Sequence, residues 1–438
     1  MKHIFSEYAY GPGPRDGCWW DETIAAPEWP RLQGNLEADV AIIGGGFTGV
    51  SAALHLAEAG VSVALLEAKF PGFGASGRNG GFCCLGGAMI KEPGLTRRVG
   101  AEAAAEYWQA EEDAVNFAAS VIERLGLDVD RHSRGETQLA HRPKDMEKLR
   151  RKAEAAAKSG TEVELIEAGD LAAKGLGGPF HGALTFPVGF GLNPRKYLFG
   201  MATAADQAGA RLYRESPVTA LKRGARGWEL TTPHGTVTAE TVIVGTNGYS
   251  SEDLPKWLGA RYIPAQSNVL VTRPLTDAEL DAQGWTSDQA SYDTRNLLHY
   301  FRLMPDRRFL FGMRGGLMSS PAAEAKARQR NRADFEAMFP AWKQVEATHA
   351  WSGMVCLARL RTPFVGSVPG QPGLFAGMAY HGNGVAMGSY SGMMLAELAQ
   401  GRSRVPRVMQ TPLARFPLGP FRRILLPPFY LARALADL

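Results

Sequence analysis

Residues 38–68, ADVAIIGGGFTGVSAALHLAEAGVSVALLEA, constrain the fold more than any other stretch of the chain. Residues 40–43 are an apolar, β-branched run of the kind that forms a buried parallel strand. Gly44, Gly46 and Gly49 follow at once in G-x-G-x-x-G spacing, and Val50, Ala53, Leu54 and Ala57 then recur at helical intervals until Gly60. Residues 61–66 read as a second strand, ended by Glu67, twenty-three positions after Gly44. Each part has a physical task. Gly44 permits the tight turn, Gly46 leaves room for a pyrophosphate, and Gly49 lets helix and strand approach closely. The helix N-terminus offers free N–H groups and the positive end of its dipole to phosphate. Glu67 can accept hydrogen bonds from ribose hydroxyls and would repel a 2′-phosphate, which leaves NAD or FAD. Phe47 and Thr48, inside the turn, and Ala68, beside Glu67, are counted with this cofactor set.

A second glycine-rich loop follows almost immediately. Residues 70–84 read FPGFGASGRNGGFCC, with five glycines and no acid. A chain built for NAD usually continues with another helix and strand. Here the glycines let backbone amides approach a flat polar ring or a pyrophosphate, and Arg78 and Asn79 can donate to ring oxygens or to neighbouring backbone.

With these two loops the chain resembles the glycine/D-amino-acid oxidase superfamily of FAD-dependent amine oxidoreductases, and within it the γ-glutamylputrescine oxidoreductase subfamily. The resemblance is carried by IIGGGFTGVSAALHLAEAGVSVALLEA, GFGASGRNGG, HYFRLMPDRRFLFG, WSGMVCLARLRTPFVG, GMAYHGNGVAMGSYSGMMLAELAQG and the tail FPLGPFRRILLPPFYLARALADL, from about residue 8 to the end. It implies an α/β fold, with a Rossmann-like FAD-binding domain and a discontinuous antiparallel-sheet substrate domain of α+β type. Residues 1–125, 191–260 and 350–438 are assigned to the first, and residues 126–190 and 261–349 to the second. It also implies non-covalent FAD. Gly44, Gly46, Gly49 and Glu67 would hold the ADP half, and Ala75, Ser76, Arg78, Asn79, Gly80 and Gly81 the ribityl chain and flavin. The second loop has no histidine for covalent attachment, Cys83 and Cys84 lie just beyond it, and Cys356 does not align with the covalent cysteine of sarcosine oxidases.

Further along, residues 101–125 read as one amphipathic helix whose Glu111 and Glu112 face solvent, residues 143–159 as a charged helix, and residues 194–213 as a helix begun by Pro194. Residues 216–223 read as a strand whose Val218, by the resemblance, bonds adenine through its backbone; Thr246 to Gly248 would lie near the pyrophosphate. Residues 373–395 read as strand, glycine turn and helix, with the helix starting near Asn383 as N-cap. Its positive end would face the flavin edge where negative charge collects on reduction, so Gly382, Asn383, Gly384 and Val385 are assigned to the cofactor, with Gly353 close by.

On the substrate side, residues 261–272 read as a strand, 297–303 and 309–313 as a hairpin, and 321–347 as a helical segment. Oxidising an amine requires a neutral nitrogen and an oriented C–H bond, and no nucleophile. The candidates are Tyr300 and His381 for catalysis, and Arg302, Trp351 and Tyr380 for substrate binding. Strand alternation places Tyr300 and Arg302 on one face and His299 and Phe301 on the other. Sarcosine-oxidase-type relatives carry a lysine in the return strand that helps oxygen react. This return strand, RRFLFGMRGG, has none, so an arginine substitutes or oxygen is not the main acceptor.

The 438 residues, 45% hydrophobic, are enough for two domains. A net charge of +4 with acids and bases interspersed gives no nucleic-acid footprint. The four cysteines form neither a disulfide framework nor a metal pattern. No apolar run is long enough to span a membrane, and the expected location is the cytoplasm. The leading expectation is oxidation of a γ-glutamylated polyamine or alkylamine, with electrons passing to oxygen or a carrier. N-methylated or D-amino acids as substrates, and a non-catalytic flavoprotein subunit, are the alternatives. A homo-oligomer stays open, as does the role of the apolar tail ILLPPFYLARAL.

Overall fold

The computed structural model describes every residue of the chain except 159, 317 and 438. Strand Gly34–Ile43 follows its sequence: the last four residues are apolar and buried, while the first six are not. It lies between two parallel neighbours, Gly235–Val244 and Val63–Leu66. The first sheet runs Phe364–Ser367, Leu374–Met378, Gly235–Val244, Gly34–Ile43, Val63–Leu66 and Arg211–Tyr213. Gly227–Thr232 and Ala220–Gly224 extend it as antiparallel strands beside Gly235–Val244.

Helix Phe47–Glu58 is buried along its whole length except at His55 and Glu58, because it packs against both Ala386–Ala399 and Pro194–Gln207. Small residues make this possible. A Cβ on Gly49 would collide with the Gly44 carbonyl oxygen, and one on Gly392 with the Thr48 carbonyl oxygen. The packing of this helix on its own strand turn, at Gly49, and on helix Ala386–Ala399, at Gly392, therefore depends on the absence of side chains.

The second sheet has the order Ala347–Ala358, Tyr262–Pro274, Arg308–Arg314, His299–Leu303, Ala290–Asp293, Glu136–Leu139, Gly182–Phe186 and Glu164–Glu167. All pairs are antiparallel except Ala290–Asp293 with Glu136–Leu139. One face packs on helix Pro321–Met338 through an aromatic core of Phe301, Phe309, Phe311, Phe335, Phe339, Trp285 and Trp342. The opposite face carries an apolar patch of Val269, Val271, Leu310 and Trp351 and a polar region beside it. Tyr292 pairs with Tyr300, Tyr300 with Gly312, and Ser267 with Arg314, so alternation puts these side chains together with Arg302 on that face.

Several boundaries differ from the sequence reading. The cut between residues 349 and 350 falls inside strand Ala347–Ala358, which belongs to the second sheet. The strand expected at 216–223 begins only at Ala220, leaving Val218 in the preceding loop. The helix expected over 321–347 stops at Met338, where Pro340 cannot continue it. Helix Ala101–Arg124 forms as expected, yet Glu111 is buried while Glu112 is exposed, because neighbours on a helix point about 100° apart.

Phe301 stacks or edges against five other rings of the aromatic core. Phe301→Ala is expected to lower unfolding stability by about 3–5 kcal/mol, measured by urea denaturation, because the cavity left behind cannot close.

Candidate functional site

A cavity of about 430 Å³ opens at the carboxyl ends of the 34–43, 63–66 and 235–244 strands, where the N-terminus of helix Phe47–Glu58 meets them. This is the usual ligand position in an open parallel sheet. The two glycine loops meet here. Ser76 Oγ accepts the Phe47 N–H at 2.9 Å, and the Gly72 N–H donates to the Gly45 carbonyl at 2.9 Å. Glu67 shapes the first loop: its two carboxylate oxygens accept the Gly45 N–H at 2.8 Å and the Lys69 N–H at 2.9 Å. Burial pushes its carboxyl up, and those amides pull it back down. Each oxygen keeps a lone pair for ribose hydroxyls.

The second loop is held from behind by its carbonyls. Trp351 Nε1 donates to the Arg78 carbonyl at 2.7 Å, Trp20 Nε1 to the Asn79 carbonyl at 2.8 Å, and Arg302 Nε to the Gly80 carbonyl at 3.0 Å. In a trans peptide the next N–H points the opposite way. Among the described residues no protein acceptor takes the Asn79 or Gly80 N–H. Asn79 closes the loop on itself, donating to the Ala75 and Ser76 carbonyls and accepting the Gly81 N–H. Arg78 spans from the Phe73 carbonyl to the Ser352 carbonyl, and its Nη2 is buried without a partner among the described residues.

Of the residues expected at the cofactor, Gly44, Gly46, Phe47 and Thr48 line the cavity, as do Glu67 and Ala68. Ala75, Ser76 and Asn79 line it from the second loop, Val218 and Thr246 from the loops next to the strands, and Gly382, Gly384 and Val385 from the last turn. Gly49, Arg78, Gly80, Gly81, Gly248, Gly353 and Asn383 are not in its wall. Gly49 and Arg78 support the wall from behind. Asn383 is not an N-cap, since the helix is Ala386–Ala399; its amide donates to the Leu85 carbonyl at 2.7 Å and fastens the 84–90 segment over the turn. The sequence reading missed the N-terminal arm, where Met1, His3 and Tyr10 line the cavity, and also Tyr249 and Met354. No local pattern marks the arm. Tyr249 directly follows the Thr246 to Gly248 segment expected near the pyrophosphate.

Four substrate-side candidates are committed to the protein itself. Arg302 is fully buried and donates to the Gly80 and Leu192 carbonyls and to His132 Nε2. Burial pulls its guanidinium down to about 9. Trp351 is fully buried with its only donor used. Tyr380 shares a hydrogen bond with Thr48 Oγ1 at 2.8 Å, at the first loop. His381 contacts the Gly87 carbonyl through Nδ1 at 2.7 Å and accepts the Ala358 N–H at Nε2, which fixes the neutral Nδ1–H tautomer. It sits in the left-handed region, φ 52°, so its ring braces a tight turn. Tyr300 alone is half-buried and on the open polar face, with Oη 2.9 Å from Ser267 Oγ.

The electrostatics suit an anionic ligand. Arg78, Arg302 and Arg314 are sheltered cations, and none forms an ion pair among the described residues. Apart from the adenosine-end Glu67, the cavity's own acid is Glu7 of the N-terminal arm. A pyrophosphate at the helix N-terminus, a ribose at Glu67 and a flat ring against the Asn79 amide match the groups present. No group of three or more metal-ligating side chains occurs among the described residues.

Comparison with known proteins decides the family. The family described as DAO, FAD dependent oxidoreductase, matches residues 39–398. The chain belongs to that family. It is an FAD-dependent amine oxidoreductase. It is 30% identical over 414 residues to the "Probable oxidoreductase OrdL" of Rhizobium meliloti, covering 93% of this chain and 94% of that one. It is 29% identical over 395 residues to the "Gamma-glutamylputrescine oxidoreductase" of Escherichia coli, covering 90% and 91%. The crystal structure of glycine oxidase from Geobacillus kaustophilus superposes with a TM-score of 0.73 at 20% identity, over 87% of this chain and 99% of that one. Among the described residues no helix of the DAO protein is long and apolar enough to cross a membrane.

Two outcomes follow from this geometry. Arg302→Met leaves three buried acceptors without a donor. It is expected to cost about 3 kcal/mol in stability and to lower retained FAD, read from the flavin-to-protein absorbance ratio. Burial, followed by the charge of Arg314, holds His381 near a pKa of about 4, below the ordinary value near 6.5. The stability from its neutral ring is therefore complete above pH 6.5 and is lost as pH falls toward 4. Between pH 7 and pH 4.5 the native protein should lose about 2–3 kcal/mol more than His381→Gln in urea unfolding. His132 titrates in the same window and is common to both proteins, so the difference isolates His381.

Proposed function

We propose that the chain oxidises the C–N bond of a small γ-glutamylated polyamine or alkylamine, using non-covalently bound FAD. The reading is carried by the match to the γ-glutamylputrescine oxidoreductase of Escherichia coli, which covers 90% of this chain and 91% of that one. When bound, FAD supplies the hydride acceptor. The protein's part is to bind, orient and exclude water. The second loop presents the amides of Asn79 and Gly80, with its carbonyls tied off behind. The polar face of the second sheet, with Tyr300 and Ser267 hydrogen-bonded to each other, faces that loop and is where the amine would lie. A Cβ on Gly80 would come within 2.7 Å of the Tyr300 ring, so the phenol and the loop are in direct contact. The substrate carbon beside nitrogen gives up hydride, the nitrogen lone pair completes a C=N bond, and water converts the imine to an aldehyde and a released amine.

All four cysteines are buried, and burial raises every thiol, which disfavours the thiolate a covalent flavin link would require. The acceptor after reduction is oxygen or an electron carrier, and the expected setting is cytoplasmic.

The test is anaerobic. Mixing the yellow protein with γ-glutamylputrescine should bleach the flavin band, and admitting air then measures how fast oxygen restores it. Absence of bleaching with this amine, together with bleaching by sarcosine or D-alanine, would replace the polyamine reading with one of N-methylated or D-amino acids.

A further inference from the structure

The cofactor site leaves the end of the chain unused. Residues 398–436 carry seven arginines and no acid. They finish in a continuous helical stretch, Gly419–Leu425 followed by helix Leu426–Ala436, whose amphipathicity is inverted. The side turned to the protein carries Arg422, Leu426, Tyr430, Arg433 and Asp437, at intervals of three or four residues. Arg422 is buried, donates to the Tyr262 carbonyl at 2.8 Å and pairs with Glu252. Arg433 donates to Asn296 Oδ1, and Asp437 accepts the Asn296 N–H, both at 2.8 Å. The outer side carries Leu418, Phe421, Ile424, Leu431 and Leu435, which are 56%, 69%, 64%, 62% and 59% exposed. With Leu425 and Phe429, the stretch holds seven of the eleven large apolar side chains that are exposed among the described residues. Arg423 Nη2 lies 3.6 Å from the sulfur of Met318, which adds another exposed apolar side chain to the patch. A surface helix ordinarily turns its apolar side to the core. One that does the reverse holds an apolar stripe in water, and such a stripe marks an interaction surface.

The charges beside the stripe say what covers it. Arg98, Arg261, Arg359, Arg361 and Arg415 have no ion pair among the described residues, and they adjoin one another. Arg359 donates to the Arg415 carbonyl at 2.8 Å, and Arg98 to the Leu360 carbonyl at 2.6 Å. The Phe416 N–H donates to the Ala260 carbonyl at 2.8 Å, which brings Arg261 alongside. Burial and then the Arg415 charge pull the Arg261 guanidinium down, and burial and then Arg361 do the same to Arg98. Arg415 stands three positions before Leu418, so the cationic cluster runs straight into the apolar stripe. A second copy of the chain, related by a twofold axis, would set this cluster against its own image, which like-charge repulsion disfavours. A bilayer with anionic headgroups meets both features, since its acyl chains take the apolar side chains and its phosphates the guanidiniums. The 11-residue terminal helix is too short to cross a membrane, but it is long enough to lie in the interface.

We propose that the outer side of residues 418–435, together with the adjoining arginine cluster, docks the protein on the surface of an anionic phospholipid bilayer. The proposal does not depend on which amine is oxidised.

The test is flotation of the FAD-loaded, full-length protein with lipid vesicles. Vesicles of phosphatidylcholine with about 30% phosphatidylglycerol should carry the protein upward, and vesicles of phosphatidylcholine alone should bind it about 10-fold less. High salt should weaken the first and leave the second unchanged. Phe421→Ser, Ile424→Ser, Leu431→Ser and Leu435→Ser combined should reduce binding to the anionic vesicles at least about 10-fold. Arg359→Gln, Arg361→Gln and Arg415→Gln combined should reduce it about 10- to 100-fold and remove the preference for anionic lipid. Retained FAD reports whether a variant keeps its fold, because Tyr430 on the inner side of the helix stands by Arg314, which rests on Gly382 of the cavity wall. If the serine variant loses FAD, the two vesicle types still decide with the native protein. Flotation with neither vesicle, or equal flotation with both, overturns the proposal. A native dimer that the serine variant converts to monomer, with no flotation, also overturns it and assigns the stripe to a second copy.

Discussion

Three successive backbone carbonyls, those of Arg78, Asn79 and Gly80, are each taken by a different buried side chain, and the site depends on this arrangement. The donors are Trp351, Trp20 and Arg302. They come from a strand of the second sheet, a short helix near the start of the chain, and a second strand of the same sheet. A glycine-rich loop has little preference of its own, since it loses more conformational entropy on ordering than any other sequence. Fixing its carbonyls fixes its amides by peptide planarity. The three donors also pack on one another, with the Trp20 and Trp351 rings edge to face at 6.2 Å and Arg302 over Trp20 at 5.8 Å. Domain packing and loop conformation are therefore one interaction. The second sheet cannot move away from the first without releasing the cofactor loop.

What the sequence revealed follows from how far apart the interacting residues are. The first loop was legible in full because strand, turn, helix and terminal acid lie within about thirty residues and their order is itself the signal. The second loop was legible as a density of glycine. The means of holding it was not, because its three hydrogen bonds cross 273, 59 and 222 positions. Strand alternation correctly put Tyr300 and Arg302 on one face, but alternation gives a direction and not a partner. Arg302 and Trp351 looked like contacts for substrate, and the backbone of the loop uses their donors. His381 looked catalytic and Asn383 looked like a cofactor residue because they adjoin the last glycine turn. Their side chains instead grip the Gly87 and Leu85 carbonyls and hold the 84–90 segment across it.

Burial of charge separates framework from function on the polar face. Arg302 and His132 form a satisfied pair: burial and then the Arg302 charge hold His132 near a pKa of about 4, so the ring stays neutral and accepts from the guanidinium at 2.7 Å. Glu136 is likewise satisfied, and burial raises its carboxyl to about 7 while Cys84 and Tyr292 donate to it. Each of these groups is expensive to bury and is compensated within the chain. Arg314 is half-buried and lacks such compensation among the described residues, and it lies against the cavity wall at Gly382. The two arginines thus differ in burial and in partners: Arg302 is satisfied within the chain, and Arg314 has no hydrogen bond or ion pair among the described residues. Return-strand alternation brings out the same point. Gly312, opposite Tyr300, has no side chain and makes room for the phenol, and two positions later the strand returns a guanidinium to the same face. The face therefore offers an uncharged hydroxyl and a cation on neighbouring strands, both within reach of the second glycine loop or the last glycine turn.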